Sequence, residues 1–553
     1  MNPRSESSIG WHASGRGGAV AAGGAEAVQA GIDLLAQGGN AADAAVATIM
    51  ALSITDHGLF AIGGEVPFMI YDANRRQVEV LSGLGCAPQD AKAIEWYMAN
   101  GIPTAGDIKA APVPAALGLC ITALMRYGTK SFADAAAPAL ALLDAGGRNW
   151  HERLAHTLRR MAGGRDWYER LARTLRRMAE AEHTARGSRQ EKLQAANDRF
   201  YTGDIADELE AWYVAKGGFL RKADLAAHVT RVEKPVTVDY RGYTVCKCDT
   251  WTQGPVLCQA LRLLEGFDLK AMGHLSADYV HALVESLKLA FADRDEYYGD
   301  PLLTDVPTTA LLAGPYTDIR RELIDMAAAS TDIRPGDPLT PAALKGPGLH
   351  RPGPGGTTTC VVADRWGNLV AATPSCNVFG NKGDGGATGV THGNRLRSFN
   401  TCPGHPNCIA PGKRPRITLT PTLVLKDGRP AAAISVAGGD LQDQTSLNVL
   451  LNAIEFGFSA ADAVTAPLFS TFHHENSFNP SPVRADTFVE VGSVCVHSGI
   501  EDAVQQDLKR RGHTITVTSG PIANPVMLLI DPDTGLLHAA GDPAAGRHAA
   551  AID

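Results

Sequence analysis

A mixed α/β fold is predicted by three features of the chain. An Ala-rich helical run follows Gly38-Gly39-Asn40, apolar β-branched stretches occur at Val361–Ala372 and Pro430–Ala437, and helical segments around 443–457 and 500–511 flank those stretches. Residues 24–37 read as an amphipathic helix that ends at Gly38-Gly39, and Asn40 is placed to cap the next helix. That helix carries mostly small residues, so it can lie close against a sheet, which suits a layered body. Thr359–Ala363 reads as a buried strand, Asp364–Asn368 as a turn and Leu369–Ala372 as the returning strand.

The segment before that hairpin is the most informative in the chain. Gly355-Gly356-Thr357-Thr358-Thr359 sets a small hydroxyl residue behind two glycines and ahead of a strand. Gly reaches bent backbone geometry without a Cβ penalty, as a peptide must before a neighbouring hydroxyl can attack its carbonyl. A cut between Gly356 and Thr357 would give Thr357 a free α-amino group beside its own hydroxyl. An N-terminal amine is one recognised activator of a Thr nucleophile, and its ordinary pKa of about 7.7–8.0 lies near the working pH. Read without the rest of the chain, the same residues could equally begin an ordinary edge strand.

Further blocks bear on that choice. They are Gly38-Gly39-Asn40-Ala41-Ala42-Asp43, Gly63-Gly64, Asp239-Tyr240-Arg241-Gly242-Tyr243, Ala292-Asp293-Arg294-Asp295-Glu296-Tyr297-Tyr298-Gly299-Asp300-Pro301, Pro411-Gly412-Lys413-Arg414-Pro415, Thr420-Pro421-Thr422-Leu423 and Gly438-Gly439. In this order they resemble the γ-glutamyltranspeptidase superfamily of N-terminal-nucleophile hydrolases over most of the chain. The resemblance implies a four-layer αββα sandwich and a precursor that cuts itself into a heavy segment, residues 1–356, and a light segment, residues 357–553, forming one compact body. It implies an amidohydrolase or acyltransferase acting on a small molecule and water, with no metal or organic cofactor. A homo-oligomer of such two-chain units is one arrangement the sequence allows.

Carried over residue by residue, the resemblance puts the nucleophile on Thr357 and the paired oxyanion donors on Gly438 and Gly439. Ser375 falls on a hydroxyl that orients the nucleophile and Asn377 on an amide that contacts substrate. Thr418 falls on one of two pocket serines, with Ile417 at its neighbour. Read alone, Ser375 and Asn377 could be a loop Ser and a turn Asn.

Two positions depart from the family pattern. Relatives that bind a γ-glutamyl group hold its α-carboxylate with an Arg where this chain has Leu84, and its α-amino group with an Asp where it has Ser398. A hydrogen bond to a charged group contributes about 1.5–3 kcal/mol, so losing both weakens such a substrate by about two to four orders of magnitude. The expected substrate is therefore a small amide of a simple acid, oxamate-like, with Arg395 or Arg397 available to grip a carboxylate. The alternative for these arginines is a solvated face. Two other readings stay in play: a γ-glutamyl hydrolase or transpeptidase acting on glutathione, and an unprocessed, non-catalytic binding protein.

The remaining features narrow the class without defining it. The chain has 553 residues, 45% hydrophobic and 20% charged, with net charge −8, which gives no footprint for nucleic acid or an anionic membrane. The N-terminus lacks a basic-then-apolar signal pattern and no apolar run reaches membrane-span length, so the cytoplasm is expected. Ten cysteines are too sparse for a disulfide scaffold. Neither Cys246-Lys247-Cys248 nor Cys402…Cys408 has paired zinc-ligand spacing. Gly15-Arg16-Gly17-Gly18 resembles a dinucleotide turn, but without a preceding strand or the full spacing. His473-His474-Glu475 reads as a polar surface loop, and Asp293–Glu296 as a structural ion network at a helix end. A near-repeat of 17 residues, beginning at Arg148 and again at Arg165, is assigned to the helical surface.

Overall fold

The computed structural model describes residues 9–104, 106–145, 166–345, 357–376, 383–488 and 490–553. Among them, one seven-stranded antiparallel sheet runs in the order His548–Ile552, Gly18–Ala22, Cys360–Asp364, Leu369–Ala372, Val66–Asp72, Gln77–Gly83 and Arg231–Glu233. A second runs in the order His12–Gly15, Leu537–Gly541, Asn524–Ile530, Arg429–Ala437, Thr422–Lys426, Tyr243–Lys247 and Val236–Tyr240.

The period-2 alternation of strand side chains divides the core into layers. In the first sheet Val20, Ala22, Cys360 and Val362 face a helical layer, whereas Ala19, Ala21, Val361 and Ala363 face the opposite sheet. In the second, Val424, Ile434 and Val436 face helices, and Leu423 and Ala433 meet the first sheet. Helices Ala25–Ala36, Ala41–Thr55, Ala116–Arg126 and Arg189–Tyr201 belong to one outer layer. Pro255–Leu264, Ala277–Tyr297 and Gln442–Ile454 belong to the other. The architecture is the αββα sandwich.

Local chemistry sets the entry to the central helix. The Asn40 side chain accepts from the backbone N–H groups of Ala42 and Asp43 at 3.0 and 3.1 Å, and Asp43 returns a bond to the Asn40 N–H. Every residue of Ala41–Thr55 is buried, as a helix of small residues pressed on a sheet must be. The Asp364 carboxylate closes the hairpin turn through Trp366 and Asn368 N–H and also accepts from Ala41 N–H at 2.8 Å. The hairpin and the central helix are thus fastened at one point.

Three expectations change. His473, His474 and Glu475 are buried, because their polar atoms find internal partners such as Asp332 O and Arg484. A strand, His12–Gly15, does precede Gly15-Arg16-Gly17-Gly18, but another strand follows it where a dinucleotide turn needs a helix. The first copy of the repeat lies outside the described residues. The second, on helix Asp166–Thr184, is more than surface: Trp167, Leu171, Leu175 and Met178 enter the core, and Trp167 Nε1 donates to Gly389 O at 2.8 Å. Asp293–Glu296 does form an ion network, with Asp293 on Arg320 and Asp295 on Arg294. Cys246 and Cys248 lie in the core between the sheets, and no cluster of potential metal ligands occurs among the described residues.

Candidate active site

Thr357, Thr358 and Thr359 lead into the central strand Cys360–Asp364, and all three are buried. Thr358 N–H donates to Pro374 O at 2.9 Å, extending the pairing with the return strand. Its hydroxyl donates to Asp56 at 2.5 Å, and Arg547 lies 3.3 Å from the same carboxylate oxygen. The residue after Thr357 is therefore anchored by a charged pair from two remote parts of the chain.

Thr357 itself is held more loosely. Its Oγ1 lies 3.4 Å from Ser375 Oγ and 3.4 Å from Gln442 Nε2, both long for a hydrogen bond. Such distances are common before substrate tightens a site. Ser375 is fixed through its backbone, which exchanges two 2.9 Å bonds with Glu65. This close pairing is what requires Gly64: a Cβ there would lie 2.3 Å from Ser375 O.

The Ser375 hydroxyl accepts from Arg395 Nη2 at 2.7 Å, and Arg395 Nε bonds Glu65 Oε1 at 2.5 Å. Arg395 and Glu65 are each about 1% exposed, so Arg395 belongs to no solvated face. Two of its nitrogens serve Ser375 and Glu65, and Nη1 has no hydrogen-bond partner among the described residues. Burial pushes the Glu65 carboxyl above the usual range, against the pull of Arg395. Arg397 is partly buried, donates to Thr104 O at 3.0 Å and lies 4.9 Å from the centre of the Phe478 ring. Burial and the neighbouring Arg395 bring its guanidinium down to about 10.

Gly438 and Gly439 form the turn between strand Arg429–Ala437 and helix Gln442–Ile454. Gly439 has φ +61°, and a Cβ there would come within 3.1 Å of the Phe478 ring. The turn opens a helix of 13 residues, whose N-terminal end favours developing negative charge. Gln442, the first residue of that helix, is the one that reaches Thr357, so turn and hydroxyl face one space.

Thr418 is buried in the segment next to Ile417, which pairs with Trp251 and Gln253. Ser398 is also buried; its Oγ has no partner among the described residues, and its carbonyl accepts from Asn407 at 2.7 Å. Leu84 sits in the apolar cluster between the sheets with Trp251 and Ile417. Asn377 and Gly356 lie outside the described residues.

Sequence reading missed Gln442 and Glu65. Glu65 directly follows Gly63-Gly64 and so carried a local hint, whereas Gln442 meets Thr357 through a tertiary contact with no spacing to reveal it.

This fold and the clustered Thr, Ser and Gly-Gly elements define an N-terminal-nucleophile type of hydrolase or acyltransferase. The chain matches the family model described as Gamma-glutamyltranspeptidase over residues 27–552, and it belongs to that family. It is 30% identical to the glutathione hydrolase proenzyme of Escherichia coli (strain K12), over 95% of this chain and 90% of that one. It is 32% identical to the acylase ACY 1 proenzyme of Pseudomonas sp. (strain SE83), over 96% and 92%. Among solved structures, LmbA2991HD superposes with a TM-score of 0.85 at 33% identity, covering 97% of this chain and 98% of that one. Cephalosporin acylase from Bacillus halodurans superposes at 0.81 with 26% identity, covering 100% and 99%.

Proposed function

We propose that the chain is a self-processing amidohydrolase that cuts before Thr357 and then hydrolyses a small amide of a simple acid. The heavy segment is residues 1–356 and the light segment 357–553. The observation that carries the reading is the convergence of Ser375 and Gln442 on the Thr357 hydroxyl, beside the Gly438-Gly439 turn.

In the first step Thr357 Oγ1 adds to the amide carbonyl while the freed Thr357 amine takes the hydroxyl proton. Gly438 and Gly439 N–H groups hold the resulting oxyanion, a contribution of about 2.7–4 kcal/mol per donor in a comparable hydrolase. Collapse breaks the C–N bond, the same proton passes to the leaving amine, and an ester to Thr357 remains. Water then adds to that ester, giving the free acid and restoring the hydroxyl. Ser375 and Gln442 keep the Thr357 oxygen aimed throughout, Thr418 lines the substrate space, and the family resemblance gives Asn377 a contact with substrate.

The acid portion is expected to be short and oxamate-like. Leu84 is apolar, and Ser398 offers an uncharged hydroxyl in place of a carboxylate, so nothing at those two positions matches an amino-acid head. Arg395 Nη1 is a buried donor with no partner among the described residues, and two contacts, of 2.7 and 3.4 Å, link this guanidinium to Thr357. A carboxylate one or two bonds from the scissile carbonyl suits that separation, with Arg397 as a second cation nearby. A screen of small carboxamides beside γ-glutamyl-p-nitroanilide, with intact mass followed in parallel, tests the reading. Faster turnover of the carboxamides is expected; equal turnover of the γ-glutamyl compound would remove the small-acid preference.

The cytoplasm is proposed as the working compartment. Ten cysteines in 553 residues are too sparse for a disulfide scaffold, which agrees with a reducing compartment. Cell fractionation is expected to recover the activity there, and recovery outside the cell would contradict it.

A further inference from the structure

We propose that Arg294 is a positioning residue for the Gly438-Gly439 turn, acting on it through Asp440 from the heavy segment. The proposal rests on the hydrolase reading above, in which that turn supplies the oxyanion donors.

Asp440 follows Gly439 directly, so whatever fixes its carboxylate fixes the turn. Arg294 Nη1 meets Asp440 Oδ1 at 2.5 Å. The hydroxyl of Ser477 donates to the same oxygen at 2.5 Å, and Ser477 N–H donates to Oδ2 at 3.1 Å. Arg416 in turn donates to the Ser477 hydroxyl. Asp440 is therefore gripped by a guanidinium on one side and by a hydroxyl and a backbone amide on the other.

Arg294 is itself immobilised. It is 1% exposed, and its other contacts are Asp295 Oδ1 at 2.7 Å, Gln253 Oε1 at 2.8 Å and Glu475 O at 2.8 Å. It lies near the end of the long helix Ala277–Tyr297, a rigid support. Burial alone would push the Asp440 carboxyl up, but Arg294, with His474, Arg416 and Ser477, outweighs it and holds the group at about 2. The contact stays ionic across any working pH.

A reason for such a clamp follows from the turn. Gly439 sits at φ +61° and Gly438 has no Cβ either, so the pair has wide conformational freedom in the absence of an external hold. Oxyanion donors act only when aimed at the position the charged oxygen will take. A bare Asp440 carboxylate beside that oxygen would also repel it, and the guanidinium neutralises it. The same helix supplies an internal control: Asp293 pairs with Arg320 at 3.1 Å, both fully buried, and its other partners, Gln259, Tyr316 and the Gly336 N–H, lie away from the turn.

The test compares Asp440→Asn with Asp293→Asn in processed protein, by carboxamide kinetics and by binding of an alkyl boronic acid, which adds to a hydroxyl as a tetrahedral anion. Asp440→Asn is expected to lower kcat and boronic-acid affinity together by about 10–100-fold, with KM and affinity for the product acid within about twofold. Asp293→Asn is expected to lower Tm while kcat and boronic-acid affinity hold. Wild-type kcat and boronic-acid affinity in Asp440→Asn would overturn the proposal, as would a change indistinguishable from that of Asp293→Asn. Should Asp440→Asn fail to fold, Ser477→Ala serves instead, with a parallel loss of about threefold expected and no loss overturning the clamp. A wild-type protein that neither turns over carboxamides nor takes the boronic acid would remove the hydrolase reading and the clamp together. An active wild type with an indifferent Asp440→Asn removes the clamp alone.

Discussion

The two halves of the site are held in opposite ways. On the proposed nucleophile side, the partners of Thr357 Oγ1 among the described residues are the neutral Ser375 and Gln442, each at 3.4 Å. On the oxyanion side, Asp440 is fixed by Arg294 and Ser477 at 2.5–3.1 Å, with every polar group buried. The contrast follows from what each half must do. Under the proposed function, a hydroxyl that attacks first its own chain and then a substrate has to move, whereas donors that stabilise a developing charge act by being in place beforehand. Rigidity near Thr357 is supplied one residue away, where Asp56 and Arg547 hold Thr358.

The comparison is broken most severely by Thr357→Ala. Both processing and amide turnover are expected to vanish, with a loss in kcat of about 10³-fold or more measured on purified protein. A variant that kept either would place the reactive group elsewhere.

Next in size is Arg395→Ala, which removes the cation behind Ser375 and strands Glu65 in the core. A stability loss of about 3–5 kcal/mol in urea melts is expected, together with a raised KM for acidic amides. The double change Glu65→Leu with Arg395→Met is expected to recover stability without recovering substrate affinity. If KM for acidic and neutral amides moved equally, Arg395 would not be a carboxylate anchor.

Acid pH sharpens the contrast more gently. Burial lowers His57, His228, His392 and His405 to about 4. In the unfolded chain these groups take up protons near 6.5, so their contribution is complete above that value and is lost as pH falls toward 4. Asp443, raised to about 6 by burial against the pull of Lys247, and Glu475, raised to about 7 by burial and Asp295, act in the opposite sense. His274, His281, His473, His474 and His513 are lowered by burial as well, and Glu65 and Asp542 are raised by it, so nine histidines stand against four carboxyls and Tm at pH 5 is expected to be lower than at pH 7.5. A higher Tm at pH 5 would show that the carboxyls dominate.

The smallest effect is expected from deleting residues 148–164, one unit of the near-repeat. The remaining copy retains Trp167 and its bond to Gly389, so kcat/KM should stay within about threefold in steady-state assays. A loss of processing in this deletion would give the duplicated segment a role in maturation.

Much of the frame was legible from sequence because it is local. Asn40 capping, the helix at Ala25–Ala36, the hairpin at Cys360–Ala372 and the strand at Arg429–Ala437 follow from neighbours within a few residues. Asp364 was read as a turn residue, and it also receives Ala41 N–H from more than 300 positions away. That second bond has no sequence signal. His473 and His474 were misread for the same reason: a polar run looks solvated until its buried partners are known. The ion network at Asp293–Glu296 was legible as a cluster of charges, but its link to Asp440 was not, since the two lie on opposite sides of the proposed cleavage point.

The most direct test is the mass and N-terminal sequence of the smaller chain after purification, before and after exposure to a slowly released carboxamide. The expected smaller chain begins at Thr357 and gains the acyl group on that first residue. An uncut polypeptide, or a smaller chain starting at another residue, would contradict it.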